Sequence, residues 1–228
     1  MFSVSAIQKV HFAQGNLQYQ ASTNTWRFAE NQWDYIGDAN KGISSSYTGW
    51  IDLFGWGTGN NPTRNSQSDG DYSSFTDWGS KMGSGWRSLT KDEWVYVLDE
   101  RSTSSGIRYA KASVNGVNGV ILLPDNWSSS IYRLNDTNKS DAKFSSNTIS
   151  SSTWNSAFAP AGVVFLPAAG SRYGISARYV GSYGYYWSAS PYDDVNAYYV
   201  TIDDGSLRAA AYYFRYGGRS VRLARPAE

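Results

Sequence analysis

Cysteine is absent from the 228 residues. A disulfide framework, a zinc–thiolate site and a cysteine nucleophile are therefore excluded. The compartment is not fixed by this, because a large domain can be secreted without disulfides. Histidine occurs once, as His11. Its neighbours Val10 and Phe12 alternate with it, which predicts an imidazole on the solvent side of a strand. A Ser-His-Asp site would have to use this one residue, and no nucleophile motif accompanies it. Charge is sparse, with 17% Asp, Glu, Lys and Arg and a formal net charge of +1. No global field steers such a chain to nucleic acid or to an anionic membrane. Long apolar runs are missing too. The longest, Gly119-Val-Ile-Leu-Leu-Pro124, falls far short of the roughly 20 residues that span a bilayer. No signal peptide is visible. Met1 sits directly before Phe2-Ser-Val-Ser, which already reads as folded sequence. The expectation is a chain beginning at a domain boundary, with its targeting segment elsewhere.

What is abundant is aromatic side chain and turn residue. The chain holds 10 Trp, 18 Tyr and 22 Gly. Disordered chains lack aromatics, so this composition predicts a folded protein rich in turns. Its length suits one domain over residues 1–228 that buries a core without staples. No repeat of solenoid period and no linker divides it.

The periodicities predict an α+β fold. Val10-His-Phe-Ala and Leu17-Gln-Tyr-Gln flank Gly15-Asn16, a hairpin pattern. Trp26, Phe28, Trp33 and Tyr35 continue in strands and turns. From Gly37 to Gly85 the chain reads as long loops pinned by Trp50, Phe54, Trp56, Phe75 and Trp78. Thr90-Lys-Asp-Glu93 is a capping box opening a helix with Trp94, Val97 and Leu98 on one face; Ser102 to Gly106 ends it. A second short helix starts at Ser151 or Ser152, carries Trp154 and Phe158, and stops at Pro160. Ile107 to Ala112, Gly119 to Leu123 and Val163 to Leu166 have strand length, and Asn115-Gly116 and Asn118-Gly119 mark tight turns. The closing Ser220-Val-Arg-Leu-Ala-Arg225 alternates, with Val221 and Leu223 facing in and Arg222 and Arg225 facing the other way or solvent. This last strand is predicted to pair near Val10–Phe12.

Three blocks resemble one family. Trp86-Arg-Ser-Leu-Thr-Lys-Asp-Glu-Trp94-Val-Tyr resembles the "R-L-P-T-E-x-E-W-E-Y" helix of the formylglycine-generating-enzyme branch of C-type lectin folds. Val164-Phe-Leu-Pro-Ala-Ala-Gly170-Ser-Arg is similar to the strand before that branch's closing region. Gly218-Arg-Ser-Val-Arg-Leu-Ala-Arg225 is similar to its terminal "G-F-R-x-V-R" strand. Together they span most of residues 85–225. The resemblance implies a C-type-lectin-like fold, with two helices around small twisted antiparallel sheets and long loops. Fixed framework would include Trp86, Trp94, Trp187, Val221 and Leu223. The enzymes of this branch oxidise a substrate cysteine with their own cysteines, and this chain has none, so that chemistry does not carry over.

Within the branch, the chain is most similar to the variable proteins of diversity-generating retroelements, found as phage tropism determinants and bacterial surface proteins. There a reverse transcriptase rewrites adenines in the DNA of a C-terminal segment, with asparagine-type codons as the usual targets. Such rewriting cannot produce Lys, Glu, Gln, Met or Trp. From Ser171 to Gly218 none of Lys, Glu, Gln, Met and His occurs, and Trp187 stands alone in Tyr186-Trp-Ser-Ala-Ser190, read as framework. The same window holds 11 of the 18 tyrosines, and its four Arg balance its four Asp. Lysine is already missing after Lys143, so part of this pattern also arises by chance.

The resemblance therefore implies a non-catalytic binder whose window 171–218 contacts a protein or glycan ligand on a cell surface. Tyr gives wide contact at low entropic cost, and Ser, Gly, Asn and Asp fit around it, as in antibody paratopes. The contact set is Ser171, Tyr173, Tyr179, Tyr183, Tyr185, Asp193, Asp194, Asn196, Tyr199, Asp203, Arg208, Tyr212, Phe214 and Tyr216. Tyr213 belongs to the same mixture, while Tyr186, Tyr192 and Tyr198 read as framework. A half-buried sheet accounts for any single tyrosine equally well. Location would be a phage tail tip or bacterial cell surface, and an oligomer is possible under the resemblance, since related phage proteins are trimers. The alternative is a fixed-sequence glycan-binding or cell-surface accessory module.

Other chemistry is weakly signalled. Asp193-Asp194 and Asp203-Asp204 are sequence neighbours, and adjacent strand residues point to opposite faces, unlike the facing carboxyls of a glycosidase. Residual hydrolase activity centred on Asp193 or Asp203 is the third reading. Asp69-Gly-Asp71 with Asp77 offers oxygen donors for calcium, without EF-hand spacing; turn residues explain it equally well. The calcium-dependent sugar motif of true C-type lectins is absent, and no other cofactor is indicated.

Overall fold

The computed structural model describes residues 1–227 and shows a mixed α+β fold made mostly of small sheets with few helices. The chain opens with β1 (Phe2–Ser3) and β2 (Lys9–Phe12), then β3 (Leu17–Gln20), β4 (Thr25–Phe28) and β5 (Trp50–Ile51), the last three forming a sheet ordered β4-β3-β5. Helix α1 (Lys91–Val95) follows, then the hairpin of β6 (Tyr109–Val114) and β7 (Val117–Leu122), β8 (Thr148–Ile149) and helix α2 (Ser151–Thr153). β9 (Val164–Pro167) completes the four-stranded sheet β8-β6-β7-β9. A two-stranded ribbon, β10 (Ser171–Tyr173) and β11 (Ser176–Arg178), leads into β12 (Gly184–Pro191), β13 (Asn196–Asp203) and β14 (Ser206–Phe214), an antiparallel sheet in sequence order. β15 (Ala224–Pro226) ends the chain.

The capping box forms as its spacing predicts. Glu93 N–H donates to Thr90 Oγ1 at 3.2 Å, and Thr90 N–H donates to Glu93 Oε2 at 2.8 Å. Arg87 then clamps the same carboxylate through both terminal nitrogens. Two N–H groups at the helix start are satisfied by the four-residue unit, and the partly buried Glu93 charge by Arg87 beside it. After Val95 the helix widens into a π-type turn, Tyr96–Glu100, closed by Arg101 N–H on the Tyr96 carbonyl at 2.8 Å. The widening keeps Trp94, Val97 and Leu98 buried in one cluster with Phe12, Tyr186, Val200 and Ile202. The second helix is capped by Ser150, one residue before the expected start, and widens in the same way over Trp154–Phe158. Trp154 and Phe158 stack 5.4 Å apart in a second cluster against β6, β7 and β9.

Two predicted turns are not turns. Gly15-Asn16 does not close a hairpin, because the C-terminal segment runs where β2 and β3 would have met. Ala13 N–H donates to the Leu223 carbonyl at 2.8 Å and Leu17 N–H to that of Val221 at 2.9 Å. Asn118-Gly119 lies within β7, facing Ser113 and Ala112. Its glycine serves close approach: a Cβ on Gly119 would stand 2.3 Å from the Leu166 carbonyl oxygen. Asn115-Gly116 does turn, with φ of 50° and 80°, the left-handed pair that a tight hairpin needs.

The C-terminal segment is the centre of the fold. Arg219 exchanges backbone hydrogen bonds with Phe54, Trp187 N–H donates to the Ser220 carbonyl, and Ala224 exchanges bonds with Arg87. β15 then pairs with β2, Ala224 opposite Phe12 and Arg225 opposite His11, the predicted partner strand. Val221 and Leu223 are buried and His11 and Arg225 are exposed, as expected, although Arg225 shares the parity of Val221 and Leu223, so its exposure marks the end of the covered segment. Arg222 does not reach solvent. It is 2% exposed and donates to the carbonyls of Ala13 and Phe165 and to Asn16 Oδ1. Its segment is covered on both sides, so the off-face side chain needed acceptors, and two backbone carbonyls with the Asn16 amide oxygen supply them.

The loops from Gly37 to Gly85 are pinned as expected, in a third cluster where Phe54, Trp56 and Trp78 are buried beside Trp187, Val221 and Leu223. Phe75 and Trp86 are only half-buried at its margin, and Trp50, half-buried under the Arg27 guanidinium, lies outside it.

Candidate ligand-binding surface

Strand register sorts the window's tyrosines. In the β12-β13-β14 sheet, Tyr186 opposes Val200 on the side that packs against α1, and both are fully buried. Tyr185 opposes Thr201, which opposes Arg208; Trp187 opposes Tyr199, which opposes Ala211. Cross-strand partners share a face, so these rows lie on the side away from α1. Ala197 and Tyr213 form a third row on that side.

Above these rows the rings touch in sequence. Tyr179 and Tyr183 are 5.0 Å apart, Tyr183 stacks on Tyr185 at 5.9 Å, and Tyr185 meets Tyr199 edge-on at 5.8 Å. From the other end, Tyr216 stacks on Phe214 at 5.0 Å, and Tyr173 contacts Tyr213 and Tyr216 edge-on, each at 6.3 Å. Between the two groups sits the Arg219 guanidinium, 3.8 Å from the Tyr199 ring centre and 5.9 Å from that of Tyr213. Below it lies Trp187, 4.8 Å away, whose indole N–H donates to the Phe54 carbonyl at 2.7 Å. The result is a continuous aromatic face, half-exposed ring by ring, on a floor of buried tryptophan and arginine.

Burial raises the hydroxyl pKa of Tyr185 well above its ordinary value and that of Tyr173 less strongly. Both therefore stay protonated donors at neutral pH. Tyr179 is the most exposed of the group at 55% and has φ of 59°. The other non-glycine residues with positive φ are Asn24, Asn115, Asp136 and Asn138. Those types tolerate the left-handed region, and a tyrosine there is strained.

Several sequence-derived contact residues lie elsewhere. Ser171 is 1% exposed on β10, so it is framework, because the ribbon's first turn packs inward beside Arg172. Tyr212 opposes Tyr198 on the α1 side and stacks on Tyr192 at 3.7 Å, a separate patch near Lys91. The expected single face is thus two, divided by the sheet. Tyr192 is exposed rather than framework, and Tyr198 is half-buried. Asp193 caps its own loop, accepting from Val195 N–H, Asn196 N–H and the Asn196 amide. That bonding, led by the Asn196 side chain, holds its carboxyl below the usual range. Asp193 and Asn196 therefore shape the turn, and Asp194 beside them is exposed. Asp203 accepts from Gly205 N–H within its turn, and Asp204 accepts from Phe144 N–H. Both border a hollow beside Tyr183 rather than the ring face. Arg208 is exposed and lies in the Tyr185 row. Arg219 was missed, since an arginine in a strand pattern carries no sign of what faces it.

The proposed oxygen donors do not converge. Asp77 caps Trp78–Lys81 through Gly79 N–H and also accepts from Ser88 N–H and hydroxyl, while Asp71 accepts from the Ser66 hydroxyl. Among the described residues, no group of three or more His, Asp or Glu side chains is placed to hold a metal ion. No helix among them is long and apolar enough to cross a membrane.

Residues 132–224 match a family model described as a domain of unknown function, DUF8237. The matched stretch contains β8 to β14 and so the whole aromatic face. No curated protein and no solved structure matches the chain.

Proposed function

We propose that this protein is a non-catalytic binder on a C-type-lectin-like scaffold, whose face of Tyr173, Tyr179, Tyr183, Tyr185, Tyr199, Tyr213, Phe214 and Tyr216 contacts a protein or glycan on a cell surface. One observation carries the reading: a run of touching, half-exposed rings rests on a floor that is fully buried. Rings held this way lose little freedom on binding, and their hydroxyls adapt to varied partners. No bond is made or broken; affinity comes from ring burial and a few hydrogen bonds at hot spots. The site of action is a phage tail tip or a bacterial surface.

The second part of the proposal is that a retroelement diversifies the window. Tyr179 supports it. Its left-handed backbone suits asparagine, and every other non-glycine residue in that region here is Asn or Asp. Replacing the first adenine of an asparagine codon by thymine gives tyrosine, so an asparagine template explains a strained tyrosine at this position.

The adjacent DNA is the test. A near-identical copy of the segment for residues 171–218 beside a reverse transcriptase, differing only at adenines and carrying an asparagine codon at position 179, is the expected result. Differences at other bases overturn diversification and leave the fixed-sequence glycan-binding module as the reading. Binding that survives alanine at both Tyr183 and Tyr185 overturns the face itself.

A further inference from the structure

Five arginines of this chain are buried: Arg101, Arg172, Arg215, Arg219 and Arg222. Four donate to acceptors that the fold supplies. Arg101 bonds Asp125 and the carbonyls of Val97, Arg108 and Leu123. Arg172 reaches the carbonyls of Leu53, Gly174 and Arg64. Arg215 reaches those of Asn196, Tyr72 and Asp193, and Arg222 those of Ala13 and Phe165.

Arg219 is the exception. It is 1% exposed, its Nε has no acceptor, and among the described residues no carboxylate pairs with it. Its surroundings are the rings of Tyr185, Trp187, Tyr199 and Tyr213, at 5.0, 4.8, 3.8 and 5.9 Å. Ring faces attract the cation but accept none of its hydrogen bonds in the plane of the guanidinium. The hydroxyls of Tyr173 and Tyr185 both feel its charge, and that of Tyr173 lies close enough to accept from one of its terminal nitrogens. Gly217 itself puts no side chain against Nη2: a Cβ there would rest 3.3 Å from the Phe214 carbonyl oxygen and 3.5 Å from Nη2. A buried cation with an unfilled Nε–H and no counter-charge is costly to a protein, and a carboxylate placed on it recovers that cost.

We propose that Arg219 is the anchor of the aromatic face and takes the carboxylate of a glutamate or aspartate side chain projecting from a protein partner. The inference rests on the reading of that face as a binding surface and adds the charge of what binds there. A protein side chain fits better than an acidic sugar. The guanidinium lies under the rings, so its carboxylate must arrive on a slim, flexible stem; a sugar carboxylate is fixed directly to a bulky ring. Planar, bidentate pairing explains arginine in place of lysine. Arg219 also lies one residue past the window 171–218, so varying the tyrosines would leave this preference in place.

The test uses the full chain with its arginine Nε–Hε signals followed by NMR. The probe is a blocked Gly-Glu-Gly peptide, compared with blocked Gly-Gln-Gly and with sialyllactose. A saturable shift of the Arg219 signal with the glutamate peptide, at least tenfold weaker with the glutamine peptide, is the expected result. Arg219→Met should remove the glutamate preference, and Arg219→Lys should weaken it by about tenfold. No shift in the wild-type chain, or an equal shift with glutamine, overturns the inference without any variant having to fold. Tighter binding of sialyllactose overturns the choice of a protein partner. Failure here leaves the face standing, because that reading is tested at Tyr183 and Tyr185; a shift at Arg219 with a face that binds nothing would overturn the face and keep the anion site.

Discussion

Trp187 donates its indole N–H to the carbonyl of Phe54 at 2.7 Å and meets the Tyr199 ring edge-on at 5.9 Å. One side chain thus fixes a long loop from beneath and a surface tyrosine from within.

Removing that side chain should separate scaffold from surface. Trp187→Ala is expected to cost about 3–5 kcal/mol through the cavity and one lost hydrogen bond. Tyr183→Ala, half-exposed on the face, should cost less than about 1 kcal/mol. Urea unfolding midpoints of the two variants measure the contrast; equal losses would mean that Tyr183 belongs to the core.

Tyr179→Asn should stabilise the protein by about 1 kcal/mol, because asparagine tolerates the φ of 59° that tyrosine resists. A melting temperature unchanged or lowered in this variant would show that ring contacts with Tyr183 outweigh the backbone strain.

Gly170 has φ of 80°, and a Cβ there would come 2.5 Å from the Arg178 carbonyl oxygen. Gly170→Ala should therefore cost more than the usual price of a glycine-to-alanine change at positive φ, on the order of 2 kcal/mol or more. It should also displace the β10–β11 ribbon that carries Tyr173. Denaturant unfolding reads the first effect and the chemical shifts of Tyr173 the second; a neutral variant would contradict the close approach.

Asp52 sets a pH dependence. It is wholly buried, accepting from Ile36 N–H and Asn40 Nδ2–H at 2.8 Å each, and burial pushes its carboxyl pKa up to about 6 from 3.8. Between these values the folded chain holds a proton that the unfolded chain has lost, so stability falls as pH rises through this window. Relative to Asp52→Asn, wild type should lose stability on the order of 3 kcal/mol between about pH 4 and pH 7. Unfolding curves of both proteins across that range check it, and a difference that is flat or that grows with pH contradicts the assignment.

Local signals were legible where one segment decides its own structure. The capping box at Thr90, the Asn115-Gly116 turn and the inward Val221 and Leu223 all follow from spacing alone. Misreadings arose where a distant segment intervened. The Gly15-Asn16 hairpin fails because residues 221–223 take the bonding positions it needs, and Gly119 is small for the sake of Leu166. At the surface, composition gave the density of tyrosine but not its side. Tyr173 and Tyr212 read alike in sequence, yet register sends Tyr212 across the sheet to Tyr192. Arg219 was illegible for the same reason: its character lies in what the other strands fail to offer it.

The threading of residues 218–226 through the middle of the molecule has a consequence for synthesis. Five separate segments, around Ala13, Phe54, Arg87, Arg172 and Tyr185, complete their backbone bonding only when this stretch arrives. This fold cannot close until residues 218–226 have left the ribosome. A message cut short inside the tyrosine-rich window would thus yield an open chain fit for degradation, and never a folded decoy with part of the aromatic face.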